Sequence, residues 1–473
     1  MSNRDSLTIL QARITLGDPH VCSDARDRLS ILAAIYEPLV QRGAAGIFQP
    51  LLATSWSLAE DARTWIFQLR RGVVFHNGEH LEAADVVASL ARICDPDLGG
   101  ELGTQGVYRS YLGDAAISAV DPHTIQIVTG RPMADLLDLL CEMPIVPRSA
   151  LAGLPVHAIG SGPYRIERLA ANQIELAAFE QHWAGRPAWE HLIWRAEPDA
   201  TARIAAVCNG QADLAGGIAG ATQRLVTSPA RLVSIPGNVC VIIMCAADRG
   251  ACSDPRVRRA LNYATDVAAL ITTLKDGAAL PSNGPLTPLH TAYDPALEPF
   301  PYDPAQARRL LAEAGYSAGL TLMLDIPATL PDEAPALAGL LQEQYAAAGI
   351  TLVVRVTEDR PAYADMIRAR RYGDLCCFDS SPLSSYRVLQ EKLHSGIRGP
   401  WWQGYTNPAV DRLLDTAAAT VDDAQRQTIY HQAYHMIHHD APWIFLYNPY
   451  VGWAVGPRLH NWQPDPDGII RLG

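Results

Sequence analysis

The chain has 473 residues, 48% apolar and 19% charged, which excludes a disordered polymer and calls for two or three domains rather than one core. Its 38 basic residues against 50 acidic ones give a net charge of −12 with no long basic run, which excludes nucleic acid and anionic membranes as partners of the whole protein. The longest uncharged apolar run, Val239 to Ala247, falls far short of the roughly 20 residues of a membrane span.

The opening segment MSNRDSLTILQARITLGDP lacks the apolar stretch of a secretory leader. Two expectations follow: a protein that stays inside the cell, or a leader that is missing from this sequence. Further on, TWIFQLRRGVVF (Thr64 to Phe75) alternates β-formers and predicts a strand or hairpin. Asn77-Gly78 predicts a tight turn, and AADVVASLARI (Ala83 to Ile93) an amphipathic helix with Val86, Val87, Leu90 and Ile93 on one face. His76 and His80 therefore sit at the end of a strand and beyond a turn. They do not share the single helical face that a zinc-hydrolase motif needs.

Strands are predicted near Ile125–Val128, Tyr164–Glu167 and Gln173–Ala178, then a helix over Asp199–Cys208 and a strong strand over Val239–Met244. Helices are expected at Pro255–Leu274 and Pro304–Ala314, a strand at Leu320–Leu324, a helix at Glu333–Ala348 and a strand at Leu352–Val356. Pro361–Arg370, Pro408–Thr420 and Asp423–His438 read as helices, and Trp443–Tyr447 as a strand. This alternation predicts an α/β or α+β class. There is no internal repeat, low-complexity tract or structureless linker, and Pro/Gly-rich loops lie at Gly277–Pro304 and Gly396–Pro408.

Nine cysteines, an odd number without a CxxC, predict mostly buried free thiols. GxSxG, Walker and GxGxxG motifs are absent. His431, His435, His438 and His439 fall on one face of the last long helix, with Ile429, Ala433, Met436 and Ile437 opposite. The expected state is a solvated histidine face rather than a metal site.

Several segments together resemble family 5, the peptide/nickel-type extracellular solute-binding proteins of ABC importers. PLLATSWSLAEDARTWIFQLRRGVVFHNGEHLEAADVVASLAR (Pro50 to Arg92) is similar to its P-x-L-A-x-S-W and L-R-x-G-V-x-F-H-D-G signature. GSGPY from Gly160, NGQADLAGG, SDPRVRRALNYATD from Ser253, YDPAQARRLLAEAGY and the ending from TNPAVDRLLDTA to Pro449 follow in the family's order. Departures are Asn77 for the usual Asp, Glu82 for the usual capping Thr, and Phe378-Asp379-Ser380-Ser381-Pro382 where peptide-binding relatives often carry two acids.

The resemblance implies an α/β, two-lobed periplasmic-binding-protein-like fold (type II, cluster C-like), with an inserted subdomain in the first lobe. It implies a discontinuous lobe I over 1–40, 155–238 and 445–473, the insertion at 41–154, and lobe II at 239–444. It also implies a monomeric, non-enzymatic periplasmic receptor without cofactor or metal. Its partners would be a small polar ligand (peptide, opine or similar) and an ABC permease. The alternatives are a metal-dependent hydrolase using His76 and His80, and a cytosolic ligand sensor on the same fold.

Candidate ligand contacts follow. Trp401 and Trp402 lie in a Gly/Pro-framed loop, where one faces a cleft as a flat platform or both pack under the next helix. Asp379, Ser380 and Ser381 either meet the ligand, the acid pairing with an amino group as the resemblance implies, or cap a helix. Arg387, after Tyr386, would clamp a carboxylate or lie solvated on the surface. Tyr36 and Glu37, in a first-lobe segment whose neighbours line the cleft in relatives, and Tyr108 and Arg109, in the inserted subdomain, complete the set.

Overall fold

The segment SLTILQ alternates apolar and polar residues, and in the computed structural model it forms the strand Ser6–Gln11, with Leu7 and Ile9 fully buried. The structure describes residues 6–21, 25–43, 47–99, 107–329 and 331–472. The chain divides into two compact units, 1–235 with 451–473, and 236–450, so the backbone crosses between them twice.

In the first unit Ser6–Gln11 is parallel to His191–Ala196 on one side and to Leu214–Ile218 on the other. The antiparallel pair Tyr164–Ala170 and Gln173–Ala178 extends the sheet beyond His191–Ala196. Residues 452–455 pair antiparallel with Leu214–Ile218. The helix Arg26–Ile35 packs Ile31, Leu32 and Ile35 against Leu7, Ile9, Leu176 and Trp194 of this sheet. A separate antiparallel sheet orders Ala53–Leu58, Thr64–Leu69, Thr124–Val128 and Ala116–Asp121.

Next to that sheet, the expected strand does not reach His76. Regular pairing ends at Leu69, because Gly72 (φ +78°) turns the chain, and beyond it Val74 and His80 make an isolated bridge. The turn at Asn77-Gly78 and the helix Ala83–Ile93 are present as predicted, with Gly78 at φ +87°. Without a threonine cap, Asp85 closes the helix start by accepting from the Glu82 amide at 2.9 Å and from the Arg148 amide at 3.0 Å.

In the second unit three strands run parallel: Ile350–Thr357 at the edge, then Leu320–Pro327, then Leu375–Ser380. Cys240–Cys245 lies antiparallel to Leu375–Ser380, with Cys240 opposite Ser380. Residues 443–447 of the last strand pair antiparallel with Cys240–Cys245, and Ala279–Pro281 pairs with 447–449. Apolar side chains fill both faces of this sheet, Val241, Ile243, Cys377 and Leu324 on one, and Ile242, Met244, Cys376 and Phe378 on the other.

Two further expectations are corrected here. The single helix at Pro255–Leu274 is two, Pro255–Tyr263 and Val267–Lys275, because Asp266 leaves the helix to accept from the Ala269 amide as a new N-cap. The histidines of Asp423–Asp440 do not form a plain solvated face. His435 Nε2 lies 2.7 Å from Asp294 Oδ2 and His431 Nδ1 3.9 Å from the same oxygen, while His438 Nδ1–H donates to Asn283 O at 3.0 Å and its ring stacks on Phe300. These contacts fasten the loop 282–303 to the helix, while the side chains of His435 and His439 stay 52% and 70% exposed. Eight cysteines are free thiols; Cys22 lies outside the described residues.

Two other histidines are held neutral inside the first unit. His20, 4% exposed, is pushed down to about 4 by burial and then by the adjacent Arg92 guanidinium, and it bonds Pro144 O at 3.0 Å. His76 is likewise lowered to about 4, chiefly by burial. Both bind protons more readily in the unfolded chain, where the value is near 6.5. Their contribution to stability is therefore complete above about pH 6.5 and is lost as pH falls toward 4, by on the order of 3 kcal/mol for His20. Urea unfolding between pH 7.5 and 4.5 should show this slope, and His20→Gln should flatten it; an unchanged slope would contradict the burial account.

Candidate ligand site

Parallel strands end at one edge of a sheet, and the helices that follow them begin there. In the second unit Leu320–Pro327, Ile350–Thr357 and Leu375–Ser380 lead into the helices Ala334–Ala347, Arg360–Arg368 and Ser385–Leu393. Three helix N-termini, each a partial positive charge, therefore gather at the carboxyl edge of one sheet. The antiparallel neighbours bring Cys240 and Tyr447 to the same edge. Open α/β sheets place their ligands at this edge.

Individual side chains are fixed there. Asp359 caps Arg360–Arg368 by accepting from the Ala362 amide at 2.6 Å, and Ser384 caps Ser385–Leu393 by accepting from the Arg387 amide at 3.1 Å. Arg360 Nη2 lies 3.5 Å from Asp379 Oδ1, and its guanidinium stands 5.5 Å from the Phe378 ring and 5.7 Å from the Tyr363 ring. Glu333, at the start of its helix, meets Lys275 Nζ at 2.5 Å and accepts from Tyr447 Oη–H at 3.1 Å. Lys392, 3% exposed, donates to Ser380 Oγ at 2.7 Å. Asn238 donates to Ser381 O, and His290 Nε2–H donates to Pro382 O at 2.8 Å.

Five of the sequence candidates are thus drawn together: Asp379 and Ser380 end the strand, Ser381 follows it directly, and Tyr386 and Arg387 lie buried in the first turn of the helix that follows. Trp401 joins them through Phe378, ring centroids 4.7 Å apart. Trp402 does not offer a free platform. Its indole N–H donates to Tyr405 O at 2.8 Å, and the guanidiniums of Arg370 and Arg398 lie over its ring, 4.8 and 4.9 Å from the centroid.

The remaining candidates belong to the first unit. Glu37, 5% exposed, has its carboxylate occupied: it accepts from Ser161 Oγ–H at 2.8 Å and from Trp183 Nε1–H at 3.0 Å, with His182 Nε2 at 3.2 Å. It pins the Gly160–Gly162 turn, which lies so close to Ile35 O that a Cβ on Gly160 would clash at 2.1 Å. Tyr36 is buried, and burial raises its phenol above the ordinary range. Tyr108 donates to Glu142 Oε2 at 3.3 Å, and Arg109 is exposed. His76 is a brace: Nε2–H donates to Gly162 O at 2.9 Å, and Nδ1 accepts from the Gly160 amide at 3.3 Å. With both ring nitrogens engaged, it cannot pair with His80 on a metal.

The sequence reading missed Arg360, Glu333, Lys275 and Lys392. Arg360 had a signal, since Asp-Arg-Pro after a predicted strand marks a helix start at a strand's carboxyl end. Lys392 had none, because every residue of the helix Ser385–Leu393 is buried, its charged ones included.

The family model for bacterial extracellular solute-binding proteins, family 5, matches residues 48–384. The chain belongs to this family. It is 29% identical to the glutathione-binding protein GsiB of Pectobacterium atrosepticum, over 99% of this chain and 93% of that protein. It is 28% identical to heme-binding protein A of Haemophilus influenzae, over 92% and 85%. HbpA2 of Haemophilus parasuis has the same fold, with a TM-score of 0.85 at 22% identity over 99% of this chain and 100% of that one. Family 5 proteins are two-lobed periplasmic binding proteins, and this chain shares that mixed α/β fold.

Trp402 and Glu37 are expected to act on stability. Trp402→Ala should cost about 3–5 kcal/mol through the lost ring, and Glu37→Ala about 2 kcal/mol or more through stranded donors. Calorimetric unfolding checks both; a Trp402→Ala protein with wild-type stability would return Trp402 to the list of ligand platforms.

Proposed function

We propose that the protein is the substrate-binding component of an ABC importer, a monomer working outside the cytoplasmic membrane. It captures a small polar, peptide-like ligand between two lobes, releases it to a membrane permease and catalyses no reaction. The observation that carries this reading is the carboxyl edge of the second unit's sheet. There Arg360, Asp379, Arg387 and Lys392 stand beside three helix starts, with Phe378 and Trp401 as an apolar floor. Fixed charges beside an aromatic surface suit a ligand that is charged at one point and apolar at another.

The relatives support the same class. One is named for glutathione, a peptide-like molecule, and the solved structures of similar fold include DppA of Helicobacter pylori with the peptide STSA and AgaA with agropinic acid. Membership of family 5 supports a periplasmic or extracellular setting and a permease partner.

Isothermal calorimetry against glutathione, short peptides, opines and heme tests the reading. At least one should bind with micromolar or tighter affinity. Arg387→Ala should weaken that ligand by about 2 kcal/mol, as expected when one member of a buried charge-assisted contact is lost. Binding of none of them, with no shift in unfolding temperature, would sink the proposal.

A further inference from the structure

We infer that Arg360 is a specificity-determining residue that occupies Asp379 from within the protein, so that the site does not read a ligand's free amino group at this carboxylate. The inference rests on the ligand-binding reading above and adds to it which ligands are turned away.

The resemblance to peptide-binding relatives gives Asp379 a ligand ammonium; the geometry gives it Arg360. The Arg360 guanidinium lies 3.5 Å from Asp379, and its side chain is 13% exposed against 27% for the acid. Arg360 is not a loose surface cation that would step aside. It opens a helix capped by Asp359, and its guanidinium lies against Phe378 and Tyr363. Tyr363 is itself tied to the sheet, donating to Cys377 O at 2.6 Å and lying 3.0 Å from Asp325 O. One carboxylate thus already has one cation of matching charge. A ligand ammonium placed there would be a second cation on the same acid, unbalanced in a site walled by protein. The segment Phe378 to Pro382 offers no other acid to take it. The ligands that fit have their amino end acylated, absent or turned elsewhere.

The test uses the full-length protein and matched probes, alanyl-peptides with a free N-terminus and their N-acetyl counterparts, measured by calorimetry at pH 7. Wild type should favour neither form by more than about twofold, or should bind no free-amine form. Arg360→Gln should shift the affinity ratio at least tenfold toward the free-amine peptide over its acetylated counterpart, relative to wild type. Arg360→Gln combined with Asp379→Asn should erase the shift. Arg360→Lys, which keeps the charge, should show no shift. Asp379→Asn alone should change the affinities for the free-amine and the acetylated peptide by the same factor, to within about twofold, which keeps the test open should Arg360→Gln fold poorly. A wild type that prefers the free amine tenfold, a folded Arg360→Gln without the shift, or an Asp379→Asn that weakens the free-amine peptide at least tenfold more than the acetylated one would overturn the inference. The ligand-binding reading fails separately, through a wild type that binds nothing in the wider panel.

Discussion

Parallel pairing of Ile350–Thr357, Leu320–Pro327 and Leu375–Ser380 is the constraint from which the second unit's chemistry follows. A parallel strand cannot return through a tight turn; it needs a crossover, here a helix each time. Once three strands share a direction, the two crossover helices that join them and the helix that follows the last strand all start at the same edge. Their unsatisfied N–H groups and partial positive charges then gather whether or not a ligand is there. Asp359 and Ser384 answer two of these ends as caps, and Glu333 stands at the third with Lys275 and Tyr447. Polar residues concentrate at this edge because the backbone demands them, and the proposed ligand site draws on the same groups.

Burial then separates groups that hold the fold from groups that serve the site. Glu37 is buried and fully engaged by Ser161, Trp183 and His182, so its charge is a fastening. His76 is engaged at both nitrogens, and burial keeps it neutral. Asp379 differs in keeping about a quarter of its side chain exposed while sharing one cation. A charge with solvent on one side and a fixed partner on the other costs less to desolvate than one enclosed outright. That is the condition under which a ligand can take the place of water.

Much of the fold was legible because its signals are local. Ala83–Ile93 and Gln173–Ala178 appear at the predicted bounds, since one carries a clean helical stripe and the other a clean alternation. The family was legible through ordered motifs, several of which are turn and packing residues such as Gly160 and Gly162, where no side chain fits. What escaped was set by tertiary contact. The helix Ser385–Leu393 is enclosed all round, so its charged residues Arg387, Glu391 and Lys392 are buried along with its apolar ones. The break at Asp266 depends on a capping choice that an apolar run conceals. The histidine face looked solvated because Asp294, which receives two of its members, lies far away in the chain. Arg360 was hidden similarly: its partner Asp379 comes close only once the three parallel strands are assembled.

The tandem tryptophans show how one adjacent pair divides its roles. The pair lies in a turn closed by the Trp402 amide donating to Gly399 O at 3.0 Å, and Trp401 and Trp402 meet different surroundings. Trp402 meets Arg370 and Arg398, both non-glycine residues held at positive φ, +56° and +50°. Such backbone costs of order 1–3 kcal/mol per residue and persists where surrounding contacts over-determine it. Two guanidiniums over one indole, with Arg370 also paired to Asp248 and the indole N–H bonded to Tyr405, supply those contacts. The loop is thereby clamped on the Trp402 side. Trp401, carried by that clamped loop, is held against Phe378 behind Asp379. A rigid floor under a partly exposed charge would limit the ways a ligand approaches the proposed site, and the strain at Arg370 and Arg398 lies at the two contacts that hold the Trp402 ring.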